Sequence, residues 1–161
     1  MKPRYRDITE QDIPIIKQPG KEIKIIAGVY NKIKGPVSDL IVDVAYYDIT
    51  IEKNNKFIYH SRENYTTFVY LFEGSGMFNN IEAKTHNCIL LDKRHTINVK
   101  SKNTLRFLLI SGKSIHEPVA WGGPIVMNTQ EELHKAFQEL DEGTFIRQTK
   151  PIHSSRNYYN N

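Results

Sequence analysis

From residue 22 to residue 111 the chain alternates short runs of branched and aromatic side chains with polar, turn-forming clusters. Runs of that length, broken at that spacing, predict the short strands of a β-sandwich or barrel. Strands are expected at 22–27, 40–52, 57–59, 65–72, 77–81, 88–91, 96–99 and 105–111. The breaks at Asn54-Asn55, Glu73-Gly74-Ser75-Gly76, Asn79-Asn80 and Lys102-Asn103 supply residues that tolerate positive φ or bond their own backbone. Within 40–48 the even positions include Leu40, Val42, Val44 and Tyr46, whereas the odd ones include Asp43. The even face is therefore read as apolar and the odd face as mixed.

The period then changes. Thr129 with Glu132 three positions later forms a capping box, and Leu133, Ala136, Phe137 and Leu140 recur at helical spacing beside polar Gln130, Glu131, Lys135 and Gln138. Gly143 is placed to end the helix. At the other end, Pro3, Pro14 and Pro19 oppose helix and central strand alike, so residues 1–20 are expected as an extended entry arm. Residues 21–146 form the domain. Residues 147–161, with Ser154, Ser155, Asn157, Asn160 and Asn161, lose the apolar period and are expected as a mobile polar tail.

A chain of 161 residues suits one domain with a sizeable core. No apolar run nears the roughly 20 residues that span a bilayer, and Met1-Lys2-Pro3-Arg4 lacks the apolar centre of a secretory signal. These features point to the cytoplasm, with no membrane partner. Cys88 is the single cysteine, which excludes an intramolecular disulfide and agrees with a reducing compartment. On a strand, its default role is a small buried thiol. His86 would share its face, but a nucleophile needs an orienting group and an oxyanion site that nothing here supplies. The formal charge of +4 is scattered. Lys21, Lys24, Lys32 and Lys34 are the nearest approach to a cluster and are read as a solvated face or protected edge, which argues against direct nucleic-acid binding.

The six histidines contain no His-x-His pair, the arrangement that puts two imidazoles on one strand face. His60 is followed by Arg62, whose charge opposes a cation; Glu73, His86 and His95 stand alone on separate strands. His116 falls in a loop, His134 on the helix and His153 in the tail. Neither a metal site nor a catalytic constellation is expected. Nine tyrosines either line a cavity or fill the barrel with their hydroxyls reaching water, and filling is favoured. Tyr47, Tyr65 and Tyr70 are the candidates for the interior.

Several separated motifs share one family's order. Glu117-Pro118-Val119, then Gly123-Pro124-Ile125-Val126-Met127-Asn128-Thr129 and Glu131-Glu132, resemble the EPV segment, GPFVMNT-type loop and EE-initiated helix of the pirins, with Ile125 in place of the usual Phe. Ile25-Ile26-Ala27-Gly28, Lys34-Gly35-Pro36-Val37 and Leu108-Leu109-Ile110-Ser111-Gly112 extend the likeness over residues 2 to 146. The resemblance implies an all-β, cupin-like jelly-roll barrel (a double-stranded β-helix) with one C-terminal α-helix. Full-length pirins are similar to two such barrels in tandem, and the family's iron site and quercetin 2,3-dioxygenase activity belong to the N-terminal one. Lys2-Pro3-Arg4-Tyr5-Arg6-Asp7-Ile8 resembles the entry into the second. No catalytic or metal residue carries over, and iron enters only by analogy with the absent barrel. The signature residues are expected to be structural or interfacial.

The expected function is a non-catalytic binding or regulatory module. It would work through a protein partner or a homodimer formed by the face that normally meets the N-terminal half. A small-molecule ligand in the barrel and a nuclear role in transcriptional coregulation are further implications of the resemblance. The alternative is part of a split or truncated pirin whose dioxygenase activity resides in the missing half.

Overall fold

The computed structural model describes residues 6–38, 40–91 and 96–146. The chain divides into two compact units, Met1–Ile115 and His116–Asn161.

The first unit is a β-sandwich. Its six-stranded antiparallel sheet runs in the order β1 (Ile15–Gln18), β2 (Lys21–Ala27), β5 (Val44–Ile51), β12 (Leu105–Lys113), β7 (Tyr65–Glu73), β10 (Cys88–Leu91). The facing four-stranded sheet runs β6 (Lys56–His60), β11 (Thr96–Ser101), β8 (Ser75–Phe78), β9 (Ile81–Lys84). From β5 onward the chain passes between the sheets, which is the jelly-roll arrangement of a cupin. A small hairpin, β3 (Val29–Tyr30) with β4 (Ile33–Lys34), stands apart.

Alternation decides what each strand buries. On β12 Leu105, Phe107 and Leu109 point inward, and their register partners Ile51, Ile49 and Tyr47 on β5 do the same. Phe57, Phe78, Ile97 and Val99 answer from the other sheet. Burying side chains of this size stabilises the fold by about 1.5–3 kcal/mol each. Phe107 is met edge-on by Phe78 at 5.5 Å and by Phe57 at 6.1 Å, the geometry aromatic quadrupoles prefer.

Two separated sequence motifs clasp each other. Gly35 donates its amide to Gly28 O at 2.9 Å and Val37 to Ile26 O at 3.2 Å. Gly28 sits at φ +82°, and a Cβ on Gly35 would come within 2.8 Å of the Ile26 backbone, so both positions need glycine for this approach.

The structure corrects the sequence reading in several places. The entry arm is not simply extended: Glu10–Asp12 form a 3-10 turn capped by Thr9, and β1 joins the large sheet. The strand expected from residue 40 begins at Val44, and its core face is the odd one, Ala45, Tyr47, Ile49 and Ile51. The pattern had been set by Leu40 and Val42, which lie outside the strand. The run expected at 77–81 breaks at Asn79 and Asn80, both at positive φ, into β8 and β9. His95 and the tail expected from residue 147, including His153, lie outside the described residues.

In the second unit, the segment expected as a loop forms a hairpin, β13 (Ala120–Gly122) with β14 (Ile125–Met127), followed by α1 (Gln130–Asp141). Ala120 and Ile125 pack with Leu133 and Ala136, while Phe137 and Leu140 stay partly exposed. The capping box forms as expected: Thr129 Oγ1 accepts from Glu132 N at 3.2 Å and Glu132 Oε2 accepts from Thr129 N at 3.1 Å. Gly143, at φ +69°, follows the last turn and donates to Leu140 O.

Candidate functional site

The sandwich interior changes chemistry along its length. Read inward-facing position by position, β12 runs Leu105, Phe107, Leu109, Ser111, and its partner β7 runs Leu71, Val69, Thr67 in the same direction. β6 contributes Phe57 and Tyr59, and Ser61 follows immediately. One end of the barrel is therefore apolar and the other is a layer of hydroxyls.

These hydroxyls bond to one another. Ser61 Oγ lies 2.6 Å from Thr67 Oγ1, Thr67 Oγ1 lies 2.7 Å from Ser111 Oγ, and Ser61 Oγ lies 3.2 Å from Ser111 Oγ. Thr67 and Ser111 are buried. Tyr59 adds its phenol against Ser111, and Tyr47 donates to Val29 O at 2.7 Å. Burial pushes the Tyr47 phenol up, with the neighbouring Tyr59 adding to the effect. Burial likewise raises Tyr59 and Tyr30. The phenols are therefore neutral donors, not bases, at ordinary pH.

Above this layer, Asp43 gathers two partners. Arg62 Nη1 donates to Asp43 Oδ2, and Tyr65 Oη donates to the same oxygen at 2.6 Å. The Arg62 guanidinium also lies 5.7 Å from the Tyr65 ring centre, and its pKa is raised first by the Tyr65 hydroxyl and then by Asp43. Among the described residues, no buried side-chain nitrogen or oxygen lacks a partner.

Of the interior candidates, Tyr47 lies in the core, Tyr65 at the polar mouth, and Tyr70 on the outer face of the large sheet, its hydroxyl 3.3 Å from His86 Nδ1. The hydroxyl layer itself was missed in the sequence. Its signal is the descent from apolar to hydroxyl at alternate positions, visible at 105–111 and 57–61 once the correct parity is known.

Cys88 is exposed, against the expected buried thiol, because β10 turns Ile89 and Leu91 inward and Cys88 and Leu90 outward. His86 is not on the strand; it occupies the preceding turn at φ +71°. His60 is exposed, its Nδ1 3.0 Å from Thr96 Oγ1. Among the described residues, no group of three or more His, Cys, Asp or Glu side chains converges to hold a metal ion. No helix among them is long and apolar enough to cross a membrane.

The signature residues gather in the second unit. Asn128 Nδ2 donates to Glu117 Oε2 at 2.9 Å, and its amide joins that of Thr129 on Glu132 Oε2. Glu117, Asn128, Thr129 and Glu132 thus tie the hairpin to the helix start. Pro118, Val119, Gly123, Pro124 and Glu131 are exposed and Met127 half-buried against the small core. Nothing in this cluster provides reactive chemistry. A cleft of about 240 Å³ opens in the first unit between β10 and the β8–β9 turn, lined by Phe78, Asn79, Ile81, Ile89, Leu90, Leu91 and Ile97. Asn79 is the polar member, and its amide is committed to Thr96 O and Asn98 N.

Residues 46–146 match the Pirin C-terminal cupin domain. A putative quercetin 2,3-dioxygenase of Thermoplasma acidophilum is 34% identical over 93% of this chain and 61% of the relative. Pirin-1 of Arabidopsis thaliana is 34% identical over 85% of this chain and 50% of its own length. The crystal structure of quercetin 2,3-dioxygenase from Acinetobacter baumannii superposes with a TM-score of 0.83 at 27% identity, covering 88% of this chain and 50% of that one. The chain thus spans about half to three-fifths of the curated relatives it matches. It belongs to the pirin family, and what it carries is that family's C-terminal cupin domain.

Proposed function

We propose that this chain is a non-catalytic binding module of the pirin family that acts through protein contacts. The observation that carries this reading is the closed hydroxyl layer. Iron and similar ions favour imidazole and carboxylate donors. At the polar end of this barrel Ser61, Thr67, Ser111, Tyr47 and Tyr59 offer neutral hydroxyls already committed to hydrogen bonds. The nearby carboxylate, Asp43, is occupied by Arg62 and Tyr65. Such a set does not fit the iron that the family resemblance assigns to the other barrel, and among the described residues no group of three or more His, Cys, Asp or Glu side chains converges beside it.

A second reading is favoured by the relatives named as quercetin 2,3-dioxygenases. In it, the chain supports such an activity located in a separate N-terminal cupin. The proposed setting is the cytoplasm, with a nuclear coregulator role as the family analogue. A single cysteine, exposed at Cys88, suits a reducing compartment.

The test is metal analysis of the purified chain together with a quercetin turnover assay in added ferrous iron. The expected result is trace iron and no turnover. Near-stoichiometric iron, or turnover by the chain alone, overturns the proposal. Turnover only on mixing with an N-terminal cupin supports the second reading.

A further inference from the structure

Lysines that lie scattered along the sequence meet on one face of the fold. On the outer side of the four-stranded sheet, register lines up Lys56, Lys100, Met77 and Glu82 as successive partners across β6, β11, β8 and β9. Ile58 and Asn98 stand beside that row, and Ser75 and Lys84 flank it on the other side. Lys21 reaches in from β2 and donates to Lys56 O at 3.2 Å. Lys102, just past β11, pairs with Glu82 at 2.8 Å. Five cations thus gather around one carboxylate, and setting these six aside leaves the 22 basic and 18 acidic residues of the sequence in equal number. The adjoining turn adds Glu52 and Lys53, one of each sign.

One contact in this cluster works against the sheet. Lys56 and Lys100 are direct cross-strand partners, both exposed, and like charges placed opposite each other destabilise a strand pair. Among the described residues no carboxylate lies within ion-pair distance of either ammonium, and the carboxylate of the row is already held by Lys102. Elsewhere on the same unit the lysines are matched, Lys17 with Glu22 at 3.8 Å and Lys24 with Glu10 at 3.4 Å. Positive charge fixed in place at a cost to the sheet, with no internal partner, marks a site for an anion from outside.

We propose that this face docks an acidic, partly apolar segment of a protein partner. The proposal rests on the protein-contact reading above and adds the surface and the partner's chemistry. Charge complementarity asks for carboxylates or phosphates, and the rest of the face decides between them. Its outward strand positions hold no aromatic ring: Phe57, Tyr59 and Phe78 pack into the core, which leaves no platform on which the bases of a single strand could stack. Its strands lie side by side in a four-stranded sheet, whereas the major groove of a duplex admits a helix or a two-stranded ribbon. Ile58, 53% exposed beside the lysine pair, and half-buried Met77 offer apolar contacts instead. A segment that mixes carboxylates with leucine or valine meets both the charge and the apolar surface, and a nucleic-acid strand meets the charge alone.

The experiment is fluorescence anisotropy of the full chain with a labelled synthetic peptide of alternating glutamate and leucine, with the same peptide carrying glutamine for glutamate, and with a labelled single-stranded oligonucleotide. Lys100→Glu is the principal variant, Lys56→Glu makes the same change from the other strand, and Lys113→Glu, at the exposed end of β12 in the other sheet, is the control. Either of the first two sets opposite charges face to face, so its urea midpoint is expected to equal or exceed the parent's while its Kd for the glutamate peptide rises about tenfold or more. That combination separates loss of docking from loss of folding. Binding by the parent is expected to weaken with added salt, the glutamine peptide not to bind, and the control to match the parent. Four results overturn the inference. They are no binding of the glutamate peptide by the parent, equal binding of the glutamine peptide, a Kd unchanged in Lys100→Glu and Lys56→Glu or raised as much in Lys113→Glu, and tighter binding of the oligonucleotide than of the peptide. Iron content and quercetin turnover read the underlying proposal separately, so either can fail without the other.

Discussion

Thr67 Oγ1 and Ser111 Oγ lie 2.7 Å apart as direct cross-strand partners, both buried, and both also within reach of Ser61 Oγ from the opposite sheet. Ser61, which directly follows β6, thus links the two sheets at the polar end through hydrogen bonds, where apolar packing links them elsewhere. Removing one member strands a buried hydroxyl, whereas removing two removes the need for the bond. Ser111→Ala and Thr67→Val are each expected to cost about 1–2 kcal/mol, and the double variant less than their sum. Urea denaturation of the four proteins in the cycle measures it; strict additivity would show that the layer is not coupled.

A second buried polar link sits on the outer side of the large sheet. Arg106 Nε and Nη2 donate to the two oxygens of Asp48, and the guanidinium also stacks 4.8 Å from the Phe72 ring centre. Asp48 is 9% exposed, whereas the Arg106 side chain is 36% exposed. Loss of the arginine therefore leaves a carboxylate with little water, while loss of the aspartate leaves a cation that can still reach solvent. Arg106→Leu is expected to destabilise by about 2–3 kcal/mol and Asp48→Leu by about half that. The denaturation midpoints of the two variants give the ranking, and the reverse order would refute the argument.

What the sequence disclosed follows from the range of its signals. The capping box at Thr129 and Glu132 is local, three residues apart, and was legible outright. Strand existence was legible for the same reason, since 88–91 and 105–111 are short runs rich in branched and aromatic residues bounded by turn-forming clusters. Parity was not: in 40–48 the even positions looked apolar because Leu40 and Val42 belong to the preceding segment, and only pairing with β12 shows that Tyr47 and Ile49 face the core. β1 and the β13–β14 hairpin were hidden because Pro14 and Pro124 border them and each strand is short. The hydroxyl layer required contacts between positions as distant as Ser61 and Ser111, which no local pattern records.

In the second unit the helix start rests on reciprocal bonds. Glu132 Oε2 takes the amides of Asn128 and Thr129 together, and Thr129 Oγ1 takes that of Glu132. Thr129→Ala removes one acceptor and should cost about 1 kcal/mol, whereas Glu132→Ala leaves two amides to water. Glu132→Ala is therefore expected to be the more damaging. Amide hydrogen exchange at the first turn of α1 reads the effect locally, and equal protection in both variants and the parent would show that the box is dispensable.

The buried phenols set the alkaline limit of the fold. In the folded chain Tyr47 is raised by burial and by Tyr59, and Tyr59 is raised by its own burial, whereas in the unfolded chain each titrates near about 10. The folded state therefore holds its protons where the unfolded state has released them. The associated stability is fully present below pH about 10 and is lost as pH rises through the folded values. Unfolding is expected to set in above that pH, and the last tyrosinate absorbance should appear together with loss of structure. Tyr47→Phe removes one contributor, so its stability should fall less steeply with alkaline pH. It also gives up the bond to Val29 O, which lowers stability at neutral pH by about 1 kcal/mol. Urea midpoints of parent and variant across the alkaline range test both parts, and parallel curves would mean that Tyr47 ionises without unfolding the barrel.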